Sequence, residues 1–217
     1  MGPAELLVLA LLGGVLALDA TSVGQFMVSR PLVACTLAGW AAGSPALGAV
    51  VGVVLEALHV AVLPVGAARY PEGAPAGVAA AAVFARGGGG EALLLYVVLF
   101  ALAWEWAGSW TVSRLRTWNV SRAGDGSPVS PEVLDRRHLE AVAVDFARGV
   151  GVTAAGLLLL DALAGVLPAG FPVGWGRLAA GMAAAAAVAS SIRLFGAHRL
   201  AWFAAGAGAG TVFLLAR

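Results

Sequence analysis

The stretch FMVSRPLVACTLAGWAAGSPALGAVVGVVLEALHVAVLPVGAARYPE, from Phe26 to Glu72, decides the fold, because it is apolar nearly throughout yet broken by Gly and Pro. Two apolar runs, 31–42 and 45–63, lie almost end to end in it. At 1.5 Å per residue the first run gives about 18 Å of helix, too little to cross a hydrocarbon core of about 30 Å. Glu56 stands in the middle of the second run. The stretch therefore predicts short membrane-embedded helices with a polar group among them.

The composition of the whole chain is that of a membrane protein. Of its 217 residues 60% are hydrophobic and only 12% are charged, and the mean hydropathy is +0.90. A soluble domain carries about a quarter charged residues. The apolar runs are too long for barrel strands, so we expect an all-α polytopic membrane protein. A net charge of +1 gives no reason to expect a nucleic-acid partner, and the single Cys35 excludes a disulfide framework. We expect no cofactor, no metal site and no catalytic residue.

The other apolar runs are uneven in length. They cover residues 4–18, 75–85, 91–112, 149–167, 175–192 and 199–216. Transporters use discontinuous helices of this kind around a substrate site at the membrane midplane, so we expect broken helices here. The alternative is that Gly and Pro are simply common in membrane helices. We divide the chain into a motif-bearing membrane region 1–112, a polar stretch 113–149 and C-terminal membrane helices 150–217.

The polar stretch 113–149 holds six arginines and five acidic residues. Under the positive-inside rule this balance predicts a cytoplasmic loop. Ser130 and Pro131 have the residue types of an N-cap and a first helical position. The helix that they would open has an apolar side formed by Val133, Leu139, Val142 and Phe146. That side suits a helix on the membrane surface or on a partner, and a solvated connector is the alternative.

Glu56 shares a helix face with three other residues. Gly48, Gly52, Glu56 and His59 follow one another at intervals of four, four and three. The glycine pair is typical of close helix contact, so Glu56 should point into protein. An ionisable group inside a membrane costs at least about 2.5 kcal/mol, which favours a functional role over a structural carboxylate at a helix break. His59 is either a packed core residue or the second half of a polar pair with Glu56, suited to a polyol or a proton.

The segments DATSVGQFMVSRPLVACTLAGW and LEALHVAVLPVGAARYPE resemble the membrane IIC component of mannose/fructose/sorbose-type sugar phosphotransferase systems. The resemblance covers roughly residues 6–80. Its motifs are Arg30–Ala34, Gly43–Gly48, Glu56, Gly66–Ala67 and Pro71–Glu72. The chain departs from the family at His59, where an apolar or aromatic residue is more common, and at Pro64, where mannose-type members have Asn.

The resemblance implies a sugar-translocating subunit of a multi-component system, built from broken and re-entrant helices around a midplane substrate site. Its partners would be a IID membrane subunit and the cytoplasmic IIB and IIA components, and its substrate a hexose-type sugar. In such a system IIB phosphorylates the sugar, and the IIC chain carries no phosphoryl group. All thirteen basic residues are arginine, which favours a GC-rich bacterial genome. We therefore expect the bacterial cytoplasmic (inner) membrane, with several helices passing through the lipid.

The candidate substrate-binding residues are Glu56, His59, Gln25, Gly66, Ala67 and Arg30. A carboxylate accepts hydrogen bonds from sugar hydroxyls, and an amide side chain both donates and accepts them. Gly66 allows a ligand close to the backbone. Arg30 either faces the phosphoryl side or pairs with Asp19, which we place at a helix end. Glu105 and Asp161 lie in later apolar segments, and we expect them to pair with each other or with arginine.

Two other classes of function stay open from the sequence. One is a stand-alone proton-coupled or facilitative transporter that uses Glu56 and His59 as a proton relay. The other is a structural or regulatory relative without transport. Several runs are too short to face lipid along a whole span, because unsatisfied backbone groups cannot face hydrocarbon. We therefore expect an obligate complex with IID, repeated by closed symmetry. Trp104, Trp106, Trp110 and Trp118 read as an interfacial aromatic belt.

Overall fold

The computed structural model describes residues 1–60, 62, 69–123, 130–166, 174–196 and 200–215. All regular secondary structure in these ranges is α-helical. The described helices are α1 Pro3–Thr21, α2 Pro31–Ala41, α3 Pro45–His59, α4 Gly73–Arg86, α5 Glu91–Ala123, α6 Pro131–Ala164, α7 Trp175–Phe195 and α8 Leu200–Leu215. The prediction of an all-α polytopic membrane protein is confirmed.

Proline sets the start of half of these helices. The first helical residue is Pro3 in α1, Pro31 in α2, Pro45 in α3 and Pro131 in α6. Proline is well suited to this position, because the N–H that it lacks has no partner inside a helix there. Ser130 occupies the N-cap position as predicted, and Ser44 does so in α3, although neither side chain makes a capping hydrogen bond.

The helices fall into two length classes. Among the described residues, three helices are long and apolar enough to cross a membrane: α1, α5 and α6. Helices α2, α3 and α4 have 11, 15 and 14 residues. They measure only about 16 to 22 Å, less than the hydrocarbon core of about 30 Å. The short helices predicted from the broken apolar runs are therefore present.

Helix α4 lies at the centre of the bundle. Every residue from Ala74 to Ala85 is buried, and α1, α2, α3, α5 and α6 all pack against this helix. Small side chains allow this, because they let several helix backbones approach one axis closely. A helix that is enclosed on all sides by protein need not be as long as the bilayer is thick.

Glycine controls the two closest helix pairs. A Cβ at Gly48 of α3 would collide with the Cys35 carbonyl oxygen of α2, and one at Gly52 would lie 2.9 Å from the Leu32 Cα. The predicted close contact at this glycine pair is confirmed. Helices α1 and α6 meet in the same way, since a Cβ at Gly149 would lie 3.1 Å from the Cα of Gly14.

The polar stretch 113–149 is largely helical where it is described. Residues 113–123 continue α5, residues 131–149 open α6, and residues 124–129 lie outside the described ranges. Arg122 of α5 forms an ion pair with Glu140 of α6. The two long helices thus run past the end of their apolar segments and remain connected there.

Candidate functional site

A cavity of about 290 Å³ lies where α1 and α3 end and α4 begins. Its polar lining comes from Asp19, Gln25, Ser29, Arg30, His59, Tyr70 and Glu72. Its apolar lining comes from Ala20, Met27, Pro31, Val62, Pro71, Gly73 and Ala74. The described residues between α1 and α2, and those at 60, 62 and 69–72 between α3 and α4, are not helical, so the lining comes from helix ends and connecting backbone.

The structure brings three of the predicted site residues together. Gln25, Arg30 and His59 all line the cavity. Glu56 lies one turn before His59 on α3 and is not among the lining residues. Gly66 and Ala67 fall outside the described residues. Three of the six predicted substrate-binding residues therefore line one cavity, and Glu56 is bonded to a residue that lines it.

The residue bonded to Glu56 is Arg30, the N-cap residue of α2. Its Nε donates to Oε1 of Glu56 at 2.8 Å, and its second guanidinium nitrogen also donates to this oxygen. The other oxygen, Oε2, accepts the backbone N–H of Leu32 at 3.2 Å. Glu56 thus satisfies a free N–H in the first turn of α2 and balances the charge of Arg30. Arg30 pairs with Glu56, and its alternative partner Asp19 is engaged elsewhere.

Asp19 holds the loop that leads from α1 to α2. Its carboxylate accepts the backbone N–H groups of Phe26 at 2.6 Å and of Ser29 at 2.9 Å. Within this loop Gln25 and Met27 have φ angles of 54° and 65°, a region that residues other than Gly rarely adopt. Such backbone persists where surrounding contacts impose it, and it is enriched at ligand sites. Asp19 therefore shapes the wall that carries Gln25.

His59 pairs with Glu105 of α5 and not with Glu56. Its Nε2 lies 2.9 Å from Oε2 of Glu105, and both side chains are more than nine-tenths buried. Its other ring nitrogen, Nδ1, has no hydrogen-bond partner among the described residues. A buried polar atom without a partner costs about 1–3 kcal/mol. The expected pairing of Glu105 with arginine or Asp161 was wrong. The expected pairing of Asp161 with an arginine is confirmed, because Asp161 binds Arg86 at 2.9 Å.

A buried charge network adjoins the cavity at Glu72. Arg148 of α6 donates to Oε2 of Glu72 at 2.7 Å and to Oε1 at 2.5 Å. Its Nε donates to Oδ1 of Asp145 at 2.9 Å. The side chains of Glu72 and Asp145 are 3% and 2% exposed. The backbone N–H of Glu72 also donates to the carbonyl oxygen of Glu105 at 3.1 Å, which connects the network to the His59 pair.

Reasoning from the sequence missed this network. Glu72 was noted only as the end of a motif, while Asp145 and Arg148 were counted within a polar stretch expected to be cytoplasmic. The available signal was the spacing of Asp145 and Arg148, which puts a carboxylate and a guanidinium on one helix face. Glu72, the second carboxylate that Arg148 binds, is 76 positions away from Arg148, so only the packing of α6 against α4 could reveal the contact.

Comparison with known proteins identifies the family. A model of the family described as "PTS system sorbose-specific IIC component" matches residues 4–118, which is more than half of the chain. The chain belongs to this family of phosphotransferase-system permease components, and it is a membrane protein of sugar transport. The match covers α1 to α4 and most of α5, and so includes all the residues that line the cavity.

A solved structure described as "Structure of membrane protein" superposes with a TM-score of 0.75 at 18% sequence identity. The superposition covers 97% of this chain and 87% of the other. At this identity the likeness shows the fold alone, and it extends the shared architecture beyond residue 118. No curated protein matches the chain significantly.

Proposed function

We propose that this chain is the IIC subunit that, together with a IID membrane subunit, forms the path by which a hexose-type sugar reaches the cytoplasmic IIB component. IIB, phosphorylated through IIA, then phosphorylates the sugar. The observation that carries the proposal is the polar cavity at the ends of α1 and α3. Its walls come from the part of the chain that matches the family, and Gln25, Arg30 and His59 all border it.

The chemistry of the walls suits a polyhydroxyl ligand. Gln25 can donate to one hydroxyl and accept from another, while Arg30 offers donors only. Glu72 uses one acceptor position on each oxygen for Arg148. A carboxylate offers about four such positions, so acceptor capacity remains for a hydroxyl. His59 presents an imidazole whose second nitrogen lacks a partner within the described residues. The cavity volume of about 290 Å³ is close to the lower end of the range for small-molecule pockets, which begins at about 300 Å³. This volume fits one monosaccharide.

The remaining candidates act around this core. Glu56 fixes the charge and the orientation of Arg30, and through it the shape of the wall. Gly66 and Ala67 stay in the proposed site because the family motif contains them and because the described segments on either side, at Val62 and Tyr70, border the cavity. A Gly at position 66 would let the sugar approach the backbone.

The proposed setting is a complex in a bacterial cytoplasmic membrane. The IID subunit would cover the short helices and the exposed apolar faces, within a symmetric assembly surrounded by lipid. The exposed part of the arginine-rich stretch 113–149, which includes Arg122 and Arg136, would face the cytoplasm, where IIB docks, while Asp145 and Arg148 are buried beside the cavity. A single cysteine at Ser127, in a Cys35→Ala background, should then react with an impermeant label only after the cells are opened. Labelling in intact cells contradicts this orientation.

The test of the function uses the chain co-expressed with its IID. The purified complex should bind at least one of the labelled sugars sorbose, fructose and mannose. In inverted vesicles loaded with that sugar and supplied with IIA, IIB, phosphoenolpyruvate and the soluble lysate proteins that pass its phosphoryl group to IIA, the sugar should be recovered as its phosphate. Uptake by the chain alone, without phosphoenolpyruvate, contradicts the proposal.

A second candidate is a proton-coupled transporter, favoured by the His59–Glu105 pair. The pair places an imidazole nitrogen 2.9 Å from a carboxylate oxygen, and chains of such groups form the proton relays of membrane transporters. The predicted relay between Glu56 and His59 would then run through Glu105 instead. Liposomes that contain only this chain separate the two candidates, because sugar uptake driven by a pH gradient supports the second one and excludes the first.

A further inference from the structure

Two residues of α6 reach two different walls of the cavity, although α6 lies outside the segment that matches the family. They are Asp145 and Arg148, one turn apart, and their side chains are 2% and 10% exposed. Neither residue lines the cavity. Burying charged groups is costly, so a buried ion pair usually requires excellent geometry and further hydrogen bonds. The contacts of this pair show what its geometry holds in place.

Arg148 holds the first wall, at Glu72. Two of its nitrogens bind the two carboxylate oxygens, at 2.7 and 2.5 Å. The same NH1 group also donates to Oγ1 of Thr111 on α5, at 2.9 Å. A guanidinium that binds a carboxylate with two parallel bonds fixes the plane of that carboxylate as well as its position. The free acceptor positions of Glu72 are therefore oriented from α6.

Asp145 holds the second wall, the loop between α1 and α2. Its Oδ2 accepts a hydrogen bond from the hydroxyl of Ser22, the residue that follows α1. Its Oδ1 accepts the Nε–H of Arg148 at 2.9 Å. The loop that starts at Ser22 carries Gln25 and ends at Arg30, both of which line the cavity. One guanidinium and one carboxylate thus connect the two walls to each other.

We propose that Arg148 and Asp145 are positioning residues for the sugar site: they set the placement of Glu72 relative to the loop of Gln25 and Arg30, and thereby the affinity for the sugar. The proposal rests on the proposed function, since it assumes that the cavity binds a sugar. Two carboxylates surround one cation here, so the carboxylates stay together only because Arg148 lies between them. Lysine would keep the charge but not the fork that binds both oxygens of Glu72.

The chain supplies a matched control at the other end of the same three helices. Arg86 of α4 binds Oδ1 of Asp161 on α6 at 2.9 Å and Oε1 of Glu5 on α1 at 3.3 Å. This cluster also joins α1, α4 and α6, but none of its residues lines the cavity. Arg86→Lys and Arg148→Lys therefore make the same chemical change in the same helix bundle. Arg86 lies far from the cavity, whereas Arg148 lies beside it.

The experiment compares these two variants in the co-purified complex with IID. Equilibrium binding of labelled sorbose, fructose and mannose gives the Kd, and thermal unfolding gives the Tm. Arg148→Lys should lower the Tm more than Arg86→Lys, because Glu72 and Asp145 are 3% and 2% exposed whereas Glu5 and Asp161 are 28% and 37% exposed. Arg148→Lys should raise the Kd about tenfold, whereas Arg86→Lys should change it less than twofold. An unchanged Kd in Arg148→Lys, or an equal rise in both variants, overturns the proposal.

Ser22 provides a milder test that leaves the ion pairs intact. Ser22→Ala removes the hydroxyl that Asp145 holds, and should raise the Kd about threefold, while Ser22→Thr keeps a hydroxyl and should restore the affinity. If Arg148→Lys does not assemble, an unchanged Kd in Ser22→Ala overturns the proposal by itself. A wild-type complex that binds none of the three sugars contradicts the proposed function, a result distinct from failure of the positioning role.

Discussion

Helices α4 and α7 are both rich in alanine and have opposite surroundings. Helix α4 contains GAPAGVAAAAVFAR and α7 contains GMAAAAAVASS, both dominated by alanine. In α4 every residue from Ala74 to Ala85 is buried. In the described part of α7 only Ala183 and Ala187 are buried, on the side that meets α3 and α5. Met182, next to Ala183, is 63% exposed.

The charged residues at the starts of the two helices show the same contrast. Glu72 precedes α4, and its ion pair with Arg148 is 3% and 10% exposed. Arg177 in the first turn of α7 pairs with Glu91, and these side chains are 83% and 36% exposed. Alanine allows close packing on every side of a helix, but it does not determine whether protein or another environment surrounds that helix. The environment follows from the position in the topology, and the cavity forms where the helix is enclosed.

The largest effect should come from adding volume to each helix. Ala80 of α4 is fully buried, so Ala80→Leu must push neighbouring helices apart. Overpacking typically costs 1–3 kcal/mol, and we expect about 3 kcal/mol here because five helices surround the site. Ala185→Leu, on the exposed side of α7, should be close to neutral. Unfolding of the purified chain by increasing SDS measures both.

The Ala185→Leu variant also shows what covers the exposed side of α7 in the membrane. If the isolated chain tolerates this substitution but the complex with IID does not form, the exposed side of α7 is a subunit interface. If the isolated chain and the complex with IID both tolerate Ala185→Leu, lipid covers that side of α7. Equal destabilisation by the two leucines in the isolated chain contradicts the contrast itself.

The next largest effect concerns glycine in the two environments. A Cβ at Gly48 would meet the backbone of α2, whereas one at Gly181 of α7 would have no heavy atom within 4 Å. Gly48→Ala should therefore destabilise the chain by about 2 kcal/mol, because backbone atoms cannot move aside. Gly181→Ala should stabilise it by up to about 1 kcal/mol through helix propensity. The same SDS titration checks the two signs, and a stabilising Gly48→Ala would show that α2 and α3 pack less closely.

A third effect extends the contrast from packing to binding. Glu56→Gln keeps the shape of the side chain but leaves Arg30 without its counter-charge. We expect about tenfold weaker sugar binding by the complex, or about 1.4 kcal/mol, with insertion and assembly retained. Asp161→Asn also neutralises a paired carboxylate, but away from the cavity, and should leave the Kd unchanged. Calorimetry with the sugar that binds best decides, and equal affinities for wild type and Glu56→Gln would remove Glu56 from the site.

Much of this fold follows from the order of apolar runs and breaks in the sequence. The run 31–42 contains α2, Pro31–Ala41, and the run 45–63 contains α3, Pro45–His59. Both helices begin at the first residue of their run. The run 91–112 continues as helix to Ala123. Hydropathy reports what surrounds a helix, whereas the helix itself persists through backbone hydrogen bonds and contacts such as Arg114 over the Trp110 ring at 5.0 Å.

The predicted aromatic belt shows what the sequence alone could not predict. Trp106 and Trp110 are 53% and 54% exposed, as an interfacial belt requires. Trp104, predicted in the same belt, instead donates from Nε1 to the Val152 carbonyl oxygen of α6 at 3.1 Å. The partners of His59 were missed for the same reason. Contacts between residues far apart in sequence depend on which helices are neighbours, and periodicity within one helix does not specify this.

The smallest effect should come from the exposed ion pair at the start of α7. Arg177→Gln removes the charge that lies 3.2 Å from Oε1 of Glu91. Exposed pairs contribute only about 0–1 kcal/mol, because water already solvates both charges and ordering two side chains costs entropy. Glu91 also keeps its other contact, since Oε2 accepts the backbone N–H of Gly174 at 2.6 Å. We therefore expect a change of less than about 0.5 kcal/mol in the SDS titration, and no change in sugar affinity. A loss as large as that of Gly48→Ala would mean that α7 is enclosed after all, by a neighbouring subunit that buries this pair in the assembly.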